Sequence, residues 1–345
     1  MSKNAPPQSV CLMRLSAIGD VTHALAMVTR IKNAWPETKL TWIIGKIEYQ
    51  LLKHTSGIEF IVCDKRAKDA RSQLKRALDG REFDVLLQMQ VAFRANWLGS
   101  VVRAKRRIGF DKSRSKELHS WFINERISGD PRVHVLDGFM QFADAMGVPK
   151  APVKWDLGIP QAELDWAQAQ ASTLDRFIII APAASKAQRN WLNEYYAKVI
   201  DWCTAEGINV VLCGGPGALD KACQKGIHAH TQNVTLDLIG QTSLLQMAAL
   251  MQQSVCVIAP DTGPAHMASM MGIPVLGLYA HSNPLRTGPY GSVEHTVSVY
   301  PEAIEAEYGK SWQALSWGKR AHGDHLMEKI TPDKVIKRLQ NMLSI

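Results

Sequence analysis

Residues 255–279 read VCVIAPDTGPAHMASMMGIPVLGLY. An apolar, strand-length run at Val255–Ala259 passes through Pro260-Asp261-Thr262-Gly263-Pro264 into a helical pattern at Ala265–Met271. A second apolar run follows at Pro274–Tyr279. A strand, a crossover helix and a strand in immediate succession argue for α/β layers around a parallel sheet.

Working outward, the same alternation fills both halves of the chain. Upstream, strand-like Phe177–Ala181, Ile208–Cys213 and Val234–Ile239 alternate with helical Asn193–Ala205, Ala218–His228 and Leu244–Gln252. In the first half, strands are expected at Ser9–Leu15, Leu40–Ile44, Ile58–Cys63, Phe83–Met89 and Arg107–Phe110. Helices are expected at Val21–Ala34, Ala67–Leu78, Ala92–Val102 and Val133–Met146, the last stopped by Gly147 and Pro149. Residues 150–160 carry three prolines and read as a linker. The 345 residues suit two domains of about 150 residues each. The expected division is 1–160, then 161–330 with a connecting helix at 161–175, then a terminal helix over 331–345 opened by Thr331-Pro332. No self-similarity joins the halves, so they are two similar architectures rather than a tandem repeat.

Composition narrows the function. At 46% hydrophobic with 24 Gly and 16 Pro, the chain is neither disordered nor low in complexity. No apolar stretch approaches the roughly 20 residues of a membrane span, and polar Met1–Ser9 lacks the core of a secretion signal. Six scattered cysteines without C-x-x-C spacing argue for reduced thiols in a cytoplasm rather than a disulfide or zinc scaffold. The net charge of +8 is concentrated in the first half: Asp64–Arg81 carries +4 and Arg103–Lys116 carries +6. Such localisation implies an anionic partner, unless the runs are simply solvated faces. Nucleic acid is disfavoured, because the second run holds Phe110 as its sole aromatic and no stacking platform accompanies it.

Ligands of parallel sheets bind at loops leaving the carboxyl ends of strands. Three such loops stand out. Arg14-Leu15-Ser16-Ala17-Ile18-Gly19-Asp20-Val21-Thr22-His23 ends a strand and offers Asp20 either as a helix cap or as a carboxylate able to take a proton from a hydroxyl. Asp261-Thr262-Gly263-Pro264-Ala265-His266 opens a helix whose free N–H groups suit a phosphate, capping again being the alternative. Ala181-Pro182-Ala183-Ala184-Ser185-Lys186-Ala187-Gln188-Arg189-Asn190-Trp191 brings two cations beside them, suited to a diphosphate leaving group. G-x-G-x-x-G, P-loop, D-x-D and G-x-S-x-G patterns are all absent, so no metal or dinucleotide cofactor is expected.

These loops, with Ser282-Asn283-Pro284, Gly288-Pro289 and Arg107-Ile108-Gly109-Phe110-Asp111, resemble glycosyltransferase family 9, the ADP-heptose:lipopolysaccharide heptosyltransferases. The similarity spans roughly residues 9–343, and the opening loop looks most like the first-heptose type. The resemblance implies a GT-B fold, two Rossmann-like doubly wound domains facing across a cleft. It also implies inverting, metal-independent transfer from ADP-L-glycero-β-D-manno-heptose to a Kdo residue of the lipid A inner core. Asp20 becomes the expected base. The donor set is Arg189, standing where the family has a lysine, with Lys186, Asp220, Thr242, Asp261, Thr262, Gly263, Pro264 and His266. Ser16, Gly19, His23, Arg107, Arg114 and Lys116 are the expected acceptor contacts. No cofactor is expected beyond the donor itself. The implied partners are Kdo-lipid A and the anionic cytoplasmic face of the inner membrane, with the enzyme peripheral there. A GT-B enzyme using another ADP- or UDP-sugar is the alternative.

Overall fold

A computed structural model describes residues 5–344; Met1–Asn4, within the stretch read as lacking a secretion signal, lie outside it. The chain forms two compact units that meet between Gly158 and Ile159.

The first unit runs β1 (Ser9–Met13), α1 (Ile18–Ala34), β2 (Lys39–Ile44), α2 (Lys46–Leu52), β3 (Ile58–Val62), α3 (Ala70–Leu78), β4 (Glu82–Gln88), α4 (Phe93–Gly99), β5 (Arg103–Gly109), β6 (Glu125–Arg126) and α5 (Val135–Met146). Its sheet is parallel throughout, in the order β3-β2-β1-β4-β5-β6. Cys11, Met13, Ile43 and Leu86 stack with Leu74 and Leu98 of the crossover helices on one face. Each such aliphatic side chain contributes about 2 kcal/mol of burial.

The second unit runs α6 (Gln161–Ala171), β7 (Phe177–Ile180), α7 (Asn193–Ala205), β8 (Asn209–Gly214), α8 (Ala218–His228), β9 (Leu236–Ile239), α9 (Leu244–Met251), β10 (Cys256–Pro260), α10 (Gly263–Met270), β11 (Val275–Tyr279), α11 (Pro284–Thr287), β12 (Val297–Ser298), α12 (Tyr300–Tyr308) and α13 (Pro332–Leu343). Its sheet, β12-β11-β10-β7-β8-β9, repeats the first unit's topology. Both are the Rossmann order, in which the winding reverses once. The reversal falls between β1 and β4 in the first unit and between β7 and β10 in the second. The terminal helix α13 contributes Val335 and Leu339 to the second unit's core.

The strand–helix alternation expected from the sequence is the one observed, and the departures have local causes. Strand β5 begins at Arg103 rather than Arg107. Its amino half, RAKRR, carries no apolar pattern; tertiary ion pairs from Lys105 to Asp84 and from Arg106 to Glu125 satisfy it. Helix α2 spans seven residues, too few to show a period. Helix α12 was legible but passed over, with Pro301 in its first turn and Gly309 at its end in the left-handed region (φ 61°). The proline-bearing stretch read as a linker lies on the first unit: Trp155 Nε1 donates to the Thr22 carbonyl and Lys32 pairs with Asp156. All six cysteines are buried and unpaired, and burial pushes the Cys213 thiol up to about 12.

Candidate active site

In each unit some of the residues singled out in the sequence, Ser16, Gly19 and Asp20 in the first and Arg189 and Asp261–His266 in the second, lie where the sheet reverses its winding, the place where open α/β sheets bind ligands.

In the first unit the loop after β1 carries Ser16, Gly19 and Asp20. Helix α1 starts at Ile18, three residues before the expected Val21, so Asp20 is not the N-cap but the third helical residue. Its Oδ2 accepts the Ala17 N–H (3.1 Å) and the Arg14 guanidinium. Both anchors take that oxygen, while the side chain stays about one-third exposed. Arg14 is itself held by the Met89 carbonyl (2.6 Å) and lies over the Phe139 ring (5.3 Å). Helix α1 is fixed from its far end, where buried Arg30 bonds Asp144 and the carbonyls of Val148 and Pro149.

The loop after β4, across the reversal, supplies Gln90, which the sequence reading missed. Its side-chain oxygen accepts the Leu15 N–H (2.9 Å) and its amide reaches Ser16 Oγ (3.5 Å). Lys65, also missed, donates to the same Ser16 hydroxyl (2.5 Å). Buried Glu48 stands in this neighbourhood; burial raises its carboxyl above the ordinary range, with Lys65 and Arg14 opposing and Asp20 reinforcing the shift. None of these three sits in a motif, and only the fold places them beside the loop.

The other expected acceptor contacts separate into two kinds. Arg107 needs correction: its guanidinium points inward and donates to the carbonyls of Phe122, Val102 and Gly99 (2.7–3.0 Å). It closes the β5–β6 connection, spending three of its five N–H groups on the protein's own backbone. His23 is buried, edge-on to His134 (5.3 Å). Arg114 pairs with Asp111 and lies over Phe110, whereas Lys116 is exposed. The positive charge of the first unit is therefore partly spent inside it. A shallow cavity of about 430 Å³ lined by Lys75, Arg76, Arg81 and Arg103 lies at the amino ends of β4 and β5, the edge opposite these loops.

In the second unit the loops after β7 and β10 are stitched together. Thr262 Oγ1 donates to the Ala183 carbonyl (3.3 Å), and Arg189 Nη1 approaches Asp261 at both its carbonyl (3.4 Å) and Oδ2 (3.5 Å). Ser282, from the loop after β11, donates to the same Oδ2 (2.6 Å), and His266 Nε2 lies 3.9 Å from Oδ1. Burial alone would raise the Asp261 carboxyl, but His266, Ser282 and Arg189 outweigh it and hold it below the ordinary range. Asp261 is thus an ionised side chain in a dry setting.

Capping, the alternative for this loop, is not what its side chains do. Thr262 is the N-cap of α10 by position, yet its hydroxyl serves Ala183, and no side chain caps the helix. Pro264 occupies the first turn. The N–H groups of Gly263 and Ala265 therefore lack an intrahelical partner, at the helix end that carries a partial positive charge. The Arg189 side chain is mostly buried, its basicity lowered by that burial, and its Nε has no hydrogen-bond partner. Arg320 raises the positive potential at Arg189. It was missed because it lies in a long irregular segment, brought near by His281, which bridges the Gln188 and Ala321 carbonyls. Lys186 is exposed on the same loop.

Asp220 and Thr242 lie apart from this cluster, after β8 and β9. Asp220 Oδ1 accepts the Gly215 N–H (2.8 Å) and fastens the Gly214–Gly217 turn. Thr242 Oγ1 is buried without a partner. Among the described residues no group of three or more His, Cys, Asp or Glu is placed to hold a metal, and no helix is long and apolar enough to cross a membrane.

Comparison with known proteins shows the family and the fold. The sequence profile of glycosyltransferase family 9 (heptosyltransferase) matches residues 71–315. The lipopolysaccharide core heptosyltransferase OpsX of Haemophilus influenzae is 41% identical over 338 residues, 97% of each chain. Among solved structures, a family 9 glycosyl transferase of Veillonella parvula superposes with a TM-score of 0.80 at 21% identity, covering 99% of both chains. Escherichia coli heptosyltransferase WaaC with ADP gives 0.73 at 18% identity, covering 97% of this chain and 99% of that one. The fold is the GT-B fold of those enzymes, and the chain belongs to glycosyltransferase family 9 as a heptosyltransferase.

Proposed function

We propose that this enzyme transfers L-glycero-D-manno-heptose from ADP-heptose to a Kdo residue of the lipopolysaccharide inner core, with inversion at the anomeric carbon and without a metal. The observation that carries the reading is that each unit holds an unlike cluster at its own sheet reversal. One presents an anchored carboxylate; the other presents cations and open N–H groups. An inverting displacement needs that division of charge.

Asp20 acts as the general base. Its Oδ2 is committed to Arg14 and Ala17, which leaves Oδ1 to take the proton from the attacking Kdo hydroxyl. A base so placed contributes typically 10²–10⁴-fold. The freed oxygen attacks the anomeric carbon from the face opposite the diphosphate, and the bond to ADP breaks with its electron pair passing to the β-phosphate. Arg189, Lys186 and the N–H groups at the start of α10 receive that charge. Arginine replaces the family's lysine without loss of charge and adds a bidentate geometry. Asp261 orients Arg189 and His266 and accepts from heptose hydroxyls on its remaining lone pairs.

The reading extends to place. A relative named for the lipopolysaccharide core, together with exposed cations of the first unit such as Arg66, Lys68 and Lys116, supports a peripheral position on an anionic cytoplasmic leaflet. Each cation near such a surface contributes about 1 kcal/mol. Mass spectrometry of the product from ADP-heptose with plain and phosphorylated Kdo-lipid A tests the assignment. A product heavier by one heptose is expected; recovery of unmodified acceptor from both would overturn it.

A further inference from the structure

Large apolar side chains left exposed are unevenly distributed. Among the described residues they are Ile47, Val62, Phe93, Trp97, Leu118 and Trp121 in the first unit and Leu285 alone in the second. Val62 ends β3, Ile47 lies in α2 just beyond β2, Phe93 opens α4 beyond β4, Trp97 lies later in α4, and Leu118 and Trp121 lie in the β5–β6 connection. Trp121 is 79% exposed, an extreme value for a side chain that is ordinarily sheltered. Among the described residues the first unit therefore carries nearly all of the exposed apolar bulk.

These tips belong to one connected rim. The Phe93 N–H donates to Glu117 Oε2 (2.5 Å), and the Phe93 ring meets Phe122 edge-on (6.1 Å). Arg94 Nη1 donates to the Lys65 carbonyl (2.9 Å), and Lys65 reaches Ser16 beside Asp20. The Arg71 guanidinium lies over Trp97 (5.2 Å). Exposed Arg66, Lys68, Lys112 and Lys116 stand on the same loops. The acids there are largely engaged locally: Asp111 by Arg114, Asp69 by Gln73, and Glu117 by Phe93.

We propose that this rim, with Phe93, Trp97, Leu118 and Trp121 as its apolar tips, docks on an anionic lipid bilayer. The inference deepens the proposed function, resting on its lipid-anchored acceptor and naming the face that meets the leaflet. Tryptophan with an apolar body and a polar N–H favours the headgroup zone, and cations between aromatic tips match anionic headgroups. A symmetric contact with a second copy would set these like charges against themselves. Docked this way, the loop bearing Asp20 opens at headgroup depth, and the acceptor sugar reacts without its lipid leaving the membrane.

The test is co-sedimentation of the full chain with vesicles of phosphatidylethanolamine and phosphatidylglycerol, against phosphatidylcholine alone. It is run alongside turnover on a deacylated, water-soluble Kdo acceptor and size-exclusion chromatography. The wild type is expected to bind the anionic vesicles selectively. Trp97→Ser with Trp121→Ser, and separately Arg66→Glu with Lys68→Glu, are each expected to weaken that binding by about tenfold or more while leaving soluble turnover within about twofold. Wild-type chain that ignores anionic vesicles, variants that bind as well as wild type, or variants that alter only the oligomeric state would overturn the docking. Absence of turnover on the soluble acceptor would instead count against the transferase reading, so the two failures are told apart.

Discussion

Arg14 and Asp20 form an ion pair across the first turn of α1 in which a single carboxylate oxygen, Oδ2, receives both the guanidinium and the Ala17 N–H. The pair fixes the direction of the other oxygen. Arg14→Met should keep the fold, since methionine retains an apolar stem over Phe139, but release the carboxylate. Steady-state kinetics should show kcat lower by about 10- to 100-fold with the KM for donor little changed. An unchanged kcat would remove Arg14 from the account.

Arg189, proposed to hold the donor's diphosphate, keeps one unspent N–H group, its buried Nε. Losing a charge-assisted bond to phosphate typically costs about 1.5–3 kcal/mol. Arg189→Ala should therefore raise the dissociation constant for ADP by about 10- to 100-fold by calorimetry. Arg189→Lys should recover part of it. Equal affinity in all three proteins would move the diphosphate elsewhere.

Nucleotide selectivity separates the ADP-heptose reading from other sugar donors. In a thermal-shift series ADP should raise Tm more than UDP or GDP at equal concentration, because only a bound ligand stabilises the native state. Turnover should be unaffected by EDTA if protein cations alone neutralise the leaving group.

His119 gives a pH signature. It is buried with Nε2 accepting the Phe110 N–H (3.0 Å) and Nδ1 facing Asn96 Oδ1 (2.9 Å), and burial lowers its pKa to about 4. A lowered folded pKa means that the unfolded chain takes up the proton first as pH falls. Stability is fully present above about 6.5 and is lost on acidification toward 4, by on the order of 2–3 kcal/mol. His119→Gln should flatten the dependence of Tm on pH across that window; an unaltered slope would assign it to another group.

How much of this was written in the sequence differs by element. The strands were legible because runs such as Phe177–Ile180 are buried on both faces and admit few polar residues. The loop after β10 was legible because Asp261, Thr262, Gly263 and Pro264 are contiguous. Gln90, Lys65, Glu48 and Arg320 were not, since only the reversal of the sheet or a distant hydrogen bond brings them to the site. Arg107 was only partly legible, because its local motif is real while its guanidinium turns inward to three carbonyls. Charge in a sequence does not say whether it faces inward.

The central claim is that Asp20 removes the acceptor proton during heptosyl transfer. Its most direct test is kcat for Asp20→Asn with ADP-heptose and Kdo-lipid A, measured beside ADP affinity. A fall in kcat of about 10² or more with ADP binding unchanged is predicted; turnover near that of the wild type would contradict it.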